Sequence, residues 1–300
     1  MWLFFALLGP LLWAIVHLLD AHCVDRVFNR PWVGVITGSV SSLPAILIVP
    51  FAAPFMSWEP VGWQVVVLAL LAGALIQLSQ GLYFQALEYT EAGIVAAYWN
   101  MTPVLLPIAS YLLFGQSLGL WQSLGMLGLV ACSACFCLLD QSFEARWRSF
   151  VYMFIACCAQ AGVLLVEKYI LEHTPFLPVF LLVTTGIVIS GSSLLLLSPV
   201  RQVVRNNMAS LKAVMVIITG MEIINLAAIL CSQQAINLGI PTLVAAVETT
   251  VPAYTFLLSV LLFFVMPRFA DLRVRRKLNL KLLLVSLMVI GVGFVSDDFV

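Results

Sequence analysis

Apolar residues run along this chain in blocks of about twenty, broken at charges and at clusters of Gly, Pro and Asn. A helix crosses the roughly 30 Å hydrocarbon core of a bilayer in about 20 residues, so blocks of that length predict membrane-spanning helices. Ten runs result, at approximately 2–20, 33–51, 62–87, 93–114, 120–139, 149–171, 176–198, 211–236, 241–264 and 280–297. The first lacks a basic leader and reaches Asp20 without a small-residue cleavage site, so it is expected to be the first helix rather than a cleaved signal. Most connections are short, which predicts a compact bundle of adjacent antiparallel helices. The ninth, around Arg268 to Asn279, is long and strongly charged, and no soluble domain fits between spans.

Composition agrees with this pattern. The chain is 63% hydrophobic and 9% charged, with a mean hydropathy of +1.09, whereas soluble globular chains are about 25% charged. So few charges cannot cover a 300-residue soluble fold, which excludes soluble enzymes and predicts an all-α integral membrane protein. The formal net charge is zero, without an acidic or basic tail, and no nucleic-acid partner is expected. Cys132, Cys135, Cys137, Cys157, Cys158 and Cys231 lie in apolar runs and read as small hydrophobes. Cys132 and Cys135 form a C-x-x-C, but with no His nearby it reads as packing, so neither metal nor cofactor is expected. No metalloprotease, nucleophile-elbow or phosphate-loop motif occurs, and no enzymatic reaction is expected.

Trp2, Trp32, Trp58, Trp63, Trp121 and Trp147 fall near run ends, where an indole can sit at headgroup level. Arg26 and Arg30 lie in loop one and Arg146 and Arg148 in loop five. Arg201, Arg205 and Lys212 mark loop seven, and Arg268, Arg273, Arg275, Arg276, Lys277 and Lys281 mark loop nine. Thirteen of the fourteen basic residues thus fall in odd-numbered loops; the exception, Lys168, lies in span six. The positive-inside bias predicts cytoplasmic odd loops and both termini outside.

A shift of 149 residues lays QALEYTEAGIVAAYWNMTP, from Gln85 to Pro103, on QAINLGIPTLVAAVETTVP, from Gln234 to Pro252. Six of the 19 positions are identical, where chance would give about two. The same shift aligns spans three and four with eight and nine, and a shift of 147 pairs Asp20 with Glu167 and Pro31 with Pro178. The expected organisation is therefore two five-helix repeats, residues 1–140 and 149–297. Because five is odd, the second enters the membrane from the opposite face, and such inverted repeats imply alternating access around a shared axis.

The segment from Tyr83 to Ala134, YFQALEYTEAGIVAAYWNMTPVLLPIASYLLFGQSLGLWQSLGMLGLVACSA, resembles the EamA-like domains of the drug/metabolite transporter superfamily. Aromatic and Ala-Leu positions, a mid-helix Pro, a short polar turn and a Gly-spaced last helix carry the match. The resemblance implies a ten-helix transporter in a bacterial-type cytoplasmic (inner) membrane, with a substrate cavity lined by spans one, three, four, six, eight and nine. Two features depart from it. Gln116 and Ser117 stand where the family often has an acidic-basic pair, and the charge bias places the termini on the opposite side from the family's usual arrangement.

A carboxylate at a helix centre costs on the order of 3 kcal/mol on insertion scales, so intramembrane charges are the first site candidates. Glu222 lies near the middle of span eight with Asn225 one turn on, on the same face. Glu248 lies in span nine, and its repeat mate is Trp99, beside Asn100. Tyr98, Tyr83 and Trp13, together with Tyr254, are candidates for an aromatic cavity wall. Each also has a structural reading, as interhelical glue or packing. Glu167 and Lys168 read most simply as an ion pair or a snorkelled interfacial pair, and His17 and Asp20 as the last turn of span one. Pro103 and Pro252 occupy matching repeat positions and predict bends that serve as gating points. Gly125 and Gly128 have the spacing of close helix contact.

The expected function is secondary active transport of a small polar metabolite, cationic or amine-bearing because the acids outnumber the bases in the spans. Glu222 is the expected coupling residue, exchanging a proton for the substrate cation. The expected partners are the small-molecule substrate, the lipid bilayer and protons, with the chain a monomer or homodimer. The alternatives are a transporter or flippase of an amphipathic lipid-linked substrate and a non-transporting subunit of a membrane complex.

Overall fold

The computed structural model describes residues 1–27, 36, 61–90, 92–139, 147–206, 208–265 and 277–296. All regular structure among them is helical. In chain order the helices are α1 (Trp2–Val27), α2 (Trp63–Leu87), α3 (Ala92–Trp99), α4 (Met101–Phe114), α5 (Leu120–Leu138), α6 (Trp147–Leu171), α7 (Phe176–Ser193), α8 (Ser198–Asn206), α9 (Met208–Leu238), α10 (Pro241–Glu248), α11 (Val251–Val265) and α12 (Leu278–Ser296). Eight helical segments among the described residues are long and apolar enough to cross a membrane, the stretch Pro241–Val265, α10 with α11, counting as one. The predicted second span, 33–51, lies outside the described residues apart from Ile36, as do Arg30, Arg146 and most of loop nine.

Burial is distributed as a bilayer requires. Small residues such as Ala6, Ala14, Ala69, Ala72, Ala156 and Ala161 are buried, whereas Leu71, Leu112, Leu124, Ile155, Val216 and Leu261 are exposed. Lipid tails are as apolar as leucine, so helix association relies on close packing and hydrogen bonds, which small residues permit. Gly73 and Gly186 make the α2–α7 contact: a β-carbon on Gly73 would lie 2.3 Å from the Val183 carbonyl oxygen, and one on Gly186 would lie 2.5 Å from that of Leu70. Gly125 presses on Gly291 and Phe294 between α5 and α12. The expected partner in that contact, Gly128, instead has open space beside it. Three residues on, it is turned about 60° around the helix from Gly125, and a β-carbon there would meet nothing within 4 Å.

The principal packing pairs exchange under the sequence repeat. α1 packs along α9 and also touches α10 and α11; its repeat mate α6 packs along α2, the mate of α9, and touches α3 and α4. The correspondence holds residue by residue. Gly9 faces the Ala228 carbonyl, while Ser79 Oγ donates to the Ala156 carbonyl at 2.8 Å. Residues 9 and 156 are related by the 147 shift, and 79 and 228 by the 149 shift. Both pairs are antiparallel: Trp2 lies at Gly239 and Trp13 at Asn225, and Ser149 Oγ bonds the Ala86 carbonyl.

Helix ends follow local chemistry. Gly115 closes α4 with φ +65°, a conformation that costs glycine nothing, and its N–H bonds the Tyr111 carbonyl at 2.9 Å. At the start of α5 the Gly119 N–H donates to Gln122 Oε1 at 3.1 Å. Gln116, one of the two departures from the family pattern, accepts from Ser110 Oγ at 3.0 Å. Trp63 and Trp147 open α2 and α6 and are exposed, as residues at a membrane interface should be. α1 runs on to Val27, so His17 and Asp20 sit inside the helix rather than in its last turn. Lys281 is also inside a helix, one turn into α12; it is buried, with Nζ 6.0 Å from the Phe256 ring centroid, and is not part of the basic loop.

Candidate functional site

Two broken helices lie at repeat-related positions. The run from Ala92 to Phe114 is divided between α3 and α4 at Asn100, and the run from Pro241 to Val265 is divided between α10 and α11 at Thr249 and Thr250. The discontinuities precede the prolines. Pro103 and Pro252 sit in the first turns of α4 and α11, where a missing N–H is tolerated because those donors have no intrahelical acceptor. The two prolines therefore start new helices instead of bending long ones.

Side chains reinforce the last turn before each break, bonding carbonyls that also accept a backbone N–H. Asn100 Nδ2 donates to Ala97 O at 3.2 Å, and its mate Thr249 donates through Oγ1 to Ala246 O at 2.7 Å. Ala97 and Ala246 are themselves repeat mates. Thr250 Oγ1 bonds Val247 O at 2.7 Å. Pro103 cannot donate to Trp99 O; the Cys157 thiol of α6 donates there at 3.7 Å and to Tyr98 O at 3.4 Å. Broken spans of this kind are stable in a membrane only where their backbone is buried in protein or lines a cavity.

The side chains flanking the two breaks differ in chemistry. Tyr83 on α2 meets Trp99 edge to face, with ring centroids 5.7 Å apart. Their mates across the 149 shift are Ser232 and Glu248. These two also meet, Ser232 Oγ donating to the Glu248 carboxylate. The same pair of positions is thus aromatic in one half of the chain and a hydroxyl with a carboxylate in the other. Tyr98 packs on Phe150, 5.5 Å between centroids. All these residues except Ser232 are half-buried, whereas Asn100 is buried.

A second polar group joins α1 to α9. Trp13 Nε1 donates to Asn225 Oδ1 at 3.1 Å, and Asn225 Nδ2 donates to Glu222 Oε1 at 3.3 Å. Glu222 and Asn225 share a face of α9 as expected, and the indole that reaches them was expected only as cavity wall. From Glu222 to Ser232 is ten residues, or roughly 15 Å along the helix axis, so Glu222 and Glu248 belong to separate polar groups.

The expected Glu167–Lys168 ion pair does not form. Adjacent helical residues point about 100° apart. Glu167 turns inward, is 3% exposed and accepts from Gln233 Nε2 at 2.6 Å. Lys168 turns away to the Ile236 carbonyl at 3.5 Å and Glu172 at 3.6 Å. Sequence reasoning missed Gln233 and Ser232 altogether; the available signal was the repeat, which pairs Ser232 with Tyr83. Among the described residues, no cluster of three or more His, Cys, Asp or Glu side chains could hold a metal ion.

Comparison with known proteins follows the same lines. Residues 1–138 match the family model of the EamA-like transporter family, which belongs to the drug/metabolite transporter superfamily. No curated protein matches the chain in sequence. A solved structure, described only as the crystal structure of a protein, superposes with a TM-score of 0.67 over 98% of this chain and 96% of its own, at 14% identity. At that identity the likeness is one of fold alone.

Proposed function

From the match of residues 1–138 to the EamA-like transporter family, we propose that this multi-pass membrane protein is a secondary transporter of a small, cationic or amine-bearing metabolite. It works by alternating access between two inverted five-helix repeats, residues 1–140 and 149–297. The observation that carries the reading is the residue-for-residue match of the two helix breaks, Asn100 with Ala97 and Thr249 with Ala246. Paired discontinuous helices at a repeat interface are the usual setting of a transporter's binding site. The exchange of α1–α9 packing with α6–α2 packing supports the same symmetry. Two halves that pack by the same rules can rock about their shared axis at little cost in contacts.

Charge supports the substrate class. Glu222 and Glu248 are intramembrane acids, and Lys168, next to the buried acid Glu167 in sequence, is turned toward Glu172. Tyr83, Tyr98 and Trp99 supply aromatic faces that suit an organic cation. Glu222 is the proposed coupling residue. Its carboxylate holds Asn225, which holds Trp13, so replacement of its proton by a substrate cation would be felt in α1 as well as α9. The odd-numbered basic loops are proposed to be cytoplasmic and the membrane an inner, cytoplasmic one.

The test is uptake into liposomes that contain only this chain, under an imposed pH gradient, with labelled amines as substrates and lipid extracts as competitors. Saturable amine flux that falls, and loses its pH dependence, in Glu222→Gln is the expected result. Undiminished, pH-dependent flux in that variant removes Glu222 from the mechanism. Absence of flux for every solute class refutes the transporter reading.

A further inference from the structure

The polar group formed by α6, α9 and α10 is separate from Glu222 and has an unusual charge balance. Ser232 and Gln233, consecutive on α9, each donate to a different carboxylate: Ser232 to Glu248 of α10, and Gln233 to Glu167 of α6. Two acids from two other helices are thereby bonded by consecutive side chains of α9. The single ion pair among the described residues is Lys168–Glu172, and neither acid takes part in it. Among the described residues, each carboxylate holds one neutral donor and no cation.

The third oxygen is the informative one. Gln233 is 1% exposed. While its Nε2 is bound to Glu167, the Oε1 of the same amide is buried and accepts no hydrogen bond. A buried acceptor left empty on an amide that is bonded to a buried acid is costly unless something that donates or coordinates occupies it. Carboxylate, amide and hydroxyl oxygens are the donor set of hard cations.

We propose that Glu167, Glu248, Ser232 and Gln233 form a binding site for a small cation held entirely by oxygen. The occupant is either an inorganic ion or the ammonium end of an organic amine, since the two share this coordination chemistry. The site ties α6 to α9 and α10, elements of the second half of the chain, and its occupancy sets how firmly α9 is held against them. The proposal does not depend on the identity, or the existence, of a transported solute.

The experiment is thermal unfolding of the full-length protein in detergent at fixed pH and ionic strength, with choline chloride replaced stepwise by sodium chloride, lithium chloride, magnesium chloride or methylammonium chloride. Choline is too bulky for a four-oxygen site and serves as the reference. A saturable rise in Tm with at least one metal ion, or with methylammonium alone, is expected and distinguishes the two sources. Glu167→Gln should abolish the rise. Ser232→Ala, which removes one small donor and leaves the fold intact, should weaken the apparent affinity about 10- to 100-fold. Glu172→Gln, outside the group, should leave it unchanged. No saturable response to any of the four cations, or an equal response in Ser232→Ala and the parent, overturns the proposal. Because no flux is measured, a negative result here leaves the transporter reading standing, and a failure of transport leaves this one.

Discussion

Two glycines that sit mid-helix in apolar spans should respond oppositely to the same substitution. A β-carbon on Gly73 would lie 2.3 Å from Val183 O, 2.6 Å from Ile187 N and 2.8 Å from Gly186 C. All three are backbone atoms of α7. Ordinary van der Waals contact begins near 3.4 Å, so Gly73→Ala can be relieved only if α2 and α7 separate by about 1 Å along the contact. That separation would loosen Ala69, Ala72, Val183 and Ile187, which are buried. Overpacking of this kind costs about 1–3 kcal/mol, partly offset by roughly 0.5–1 kcal/mol from the better helix propensity of alanine. The expected net loss is about 1–2 kcal/mol. At Gly128 a β-carbon meets nothing within 4 Å, so only the propensity gain of up to about 1 kcal/mol remains. Thermal unfolding of both variants in one detergent checks the argument. Gly73→Ala should melt on the order of 5 °C below the parent, and Gly128→Ala at or above it. Equal shifts, or a larger loss at Gly128, would refute the reasoning that backbone proximity across α2 and α7 requires glycine at position 73.

Cys157→Val keeps the volume of the side chain but removes a donor to the Trp99 carbonyl, and should cost about 1–3 kcal/mol in thermal stability; Cys157→Ser, which keeps a donor, should lie closer to the parent. Asn100→Ala and Thr249→Ala should destabilise by similar amounts, about 1 kcal/mol each, because they remove equivalent bonds; a large asymmetry in denaturant unfolding would argue against equivalent breaks. Trp13→Phe keeps the ring packing while deleting the hydrogen bond to Asn225, so it should alter the pH dependence of flux more than the folded yield. Cysteines introduced at Arg201 and Arg205, both exposed on α8, should react with a membrane-impermeant thiol reagent from the cytoplasmic side only; labelling from outside would reverse the proposed orientation.

The hydrophobic blocks alone determined that the chain is a helical membrane protein, and the 149-residue shift alone paired Asn100 with Thr249 and Tyr83 with Ser232. Both follow from local rules: a bilayer demands about 20 apolar residues per crossing, and the two runs that align at the 149-residue shift break at corresponding positions. Only the tertiary structure decided that Gly125 meets a neighbour and Gly128 does not, that Pro103 and Pro252 follow the breaks, and that Trp13 reaches Asn225. The sharpest case is Glu167, adjacent to Lys168 in sequence yet bonded to Gln233, with Lys168 turned to Glu172. Sequence proximity predicts an ion pair. The 100° step of the helix instead points consecutive side chains at different neighbours, and which neighbours those are depends on how α6, α9 and α10 pack.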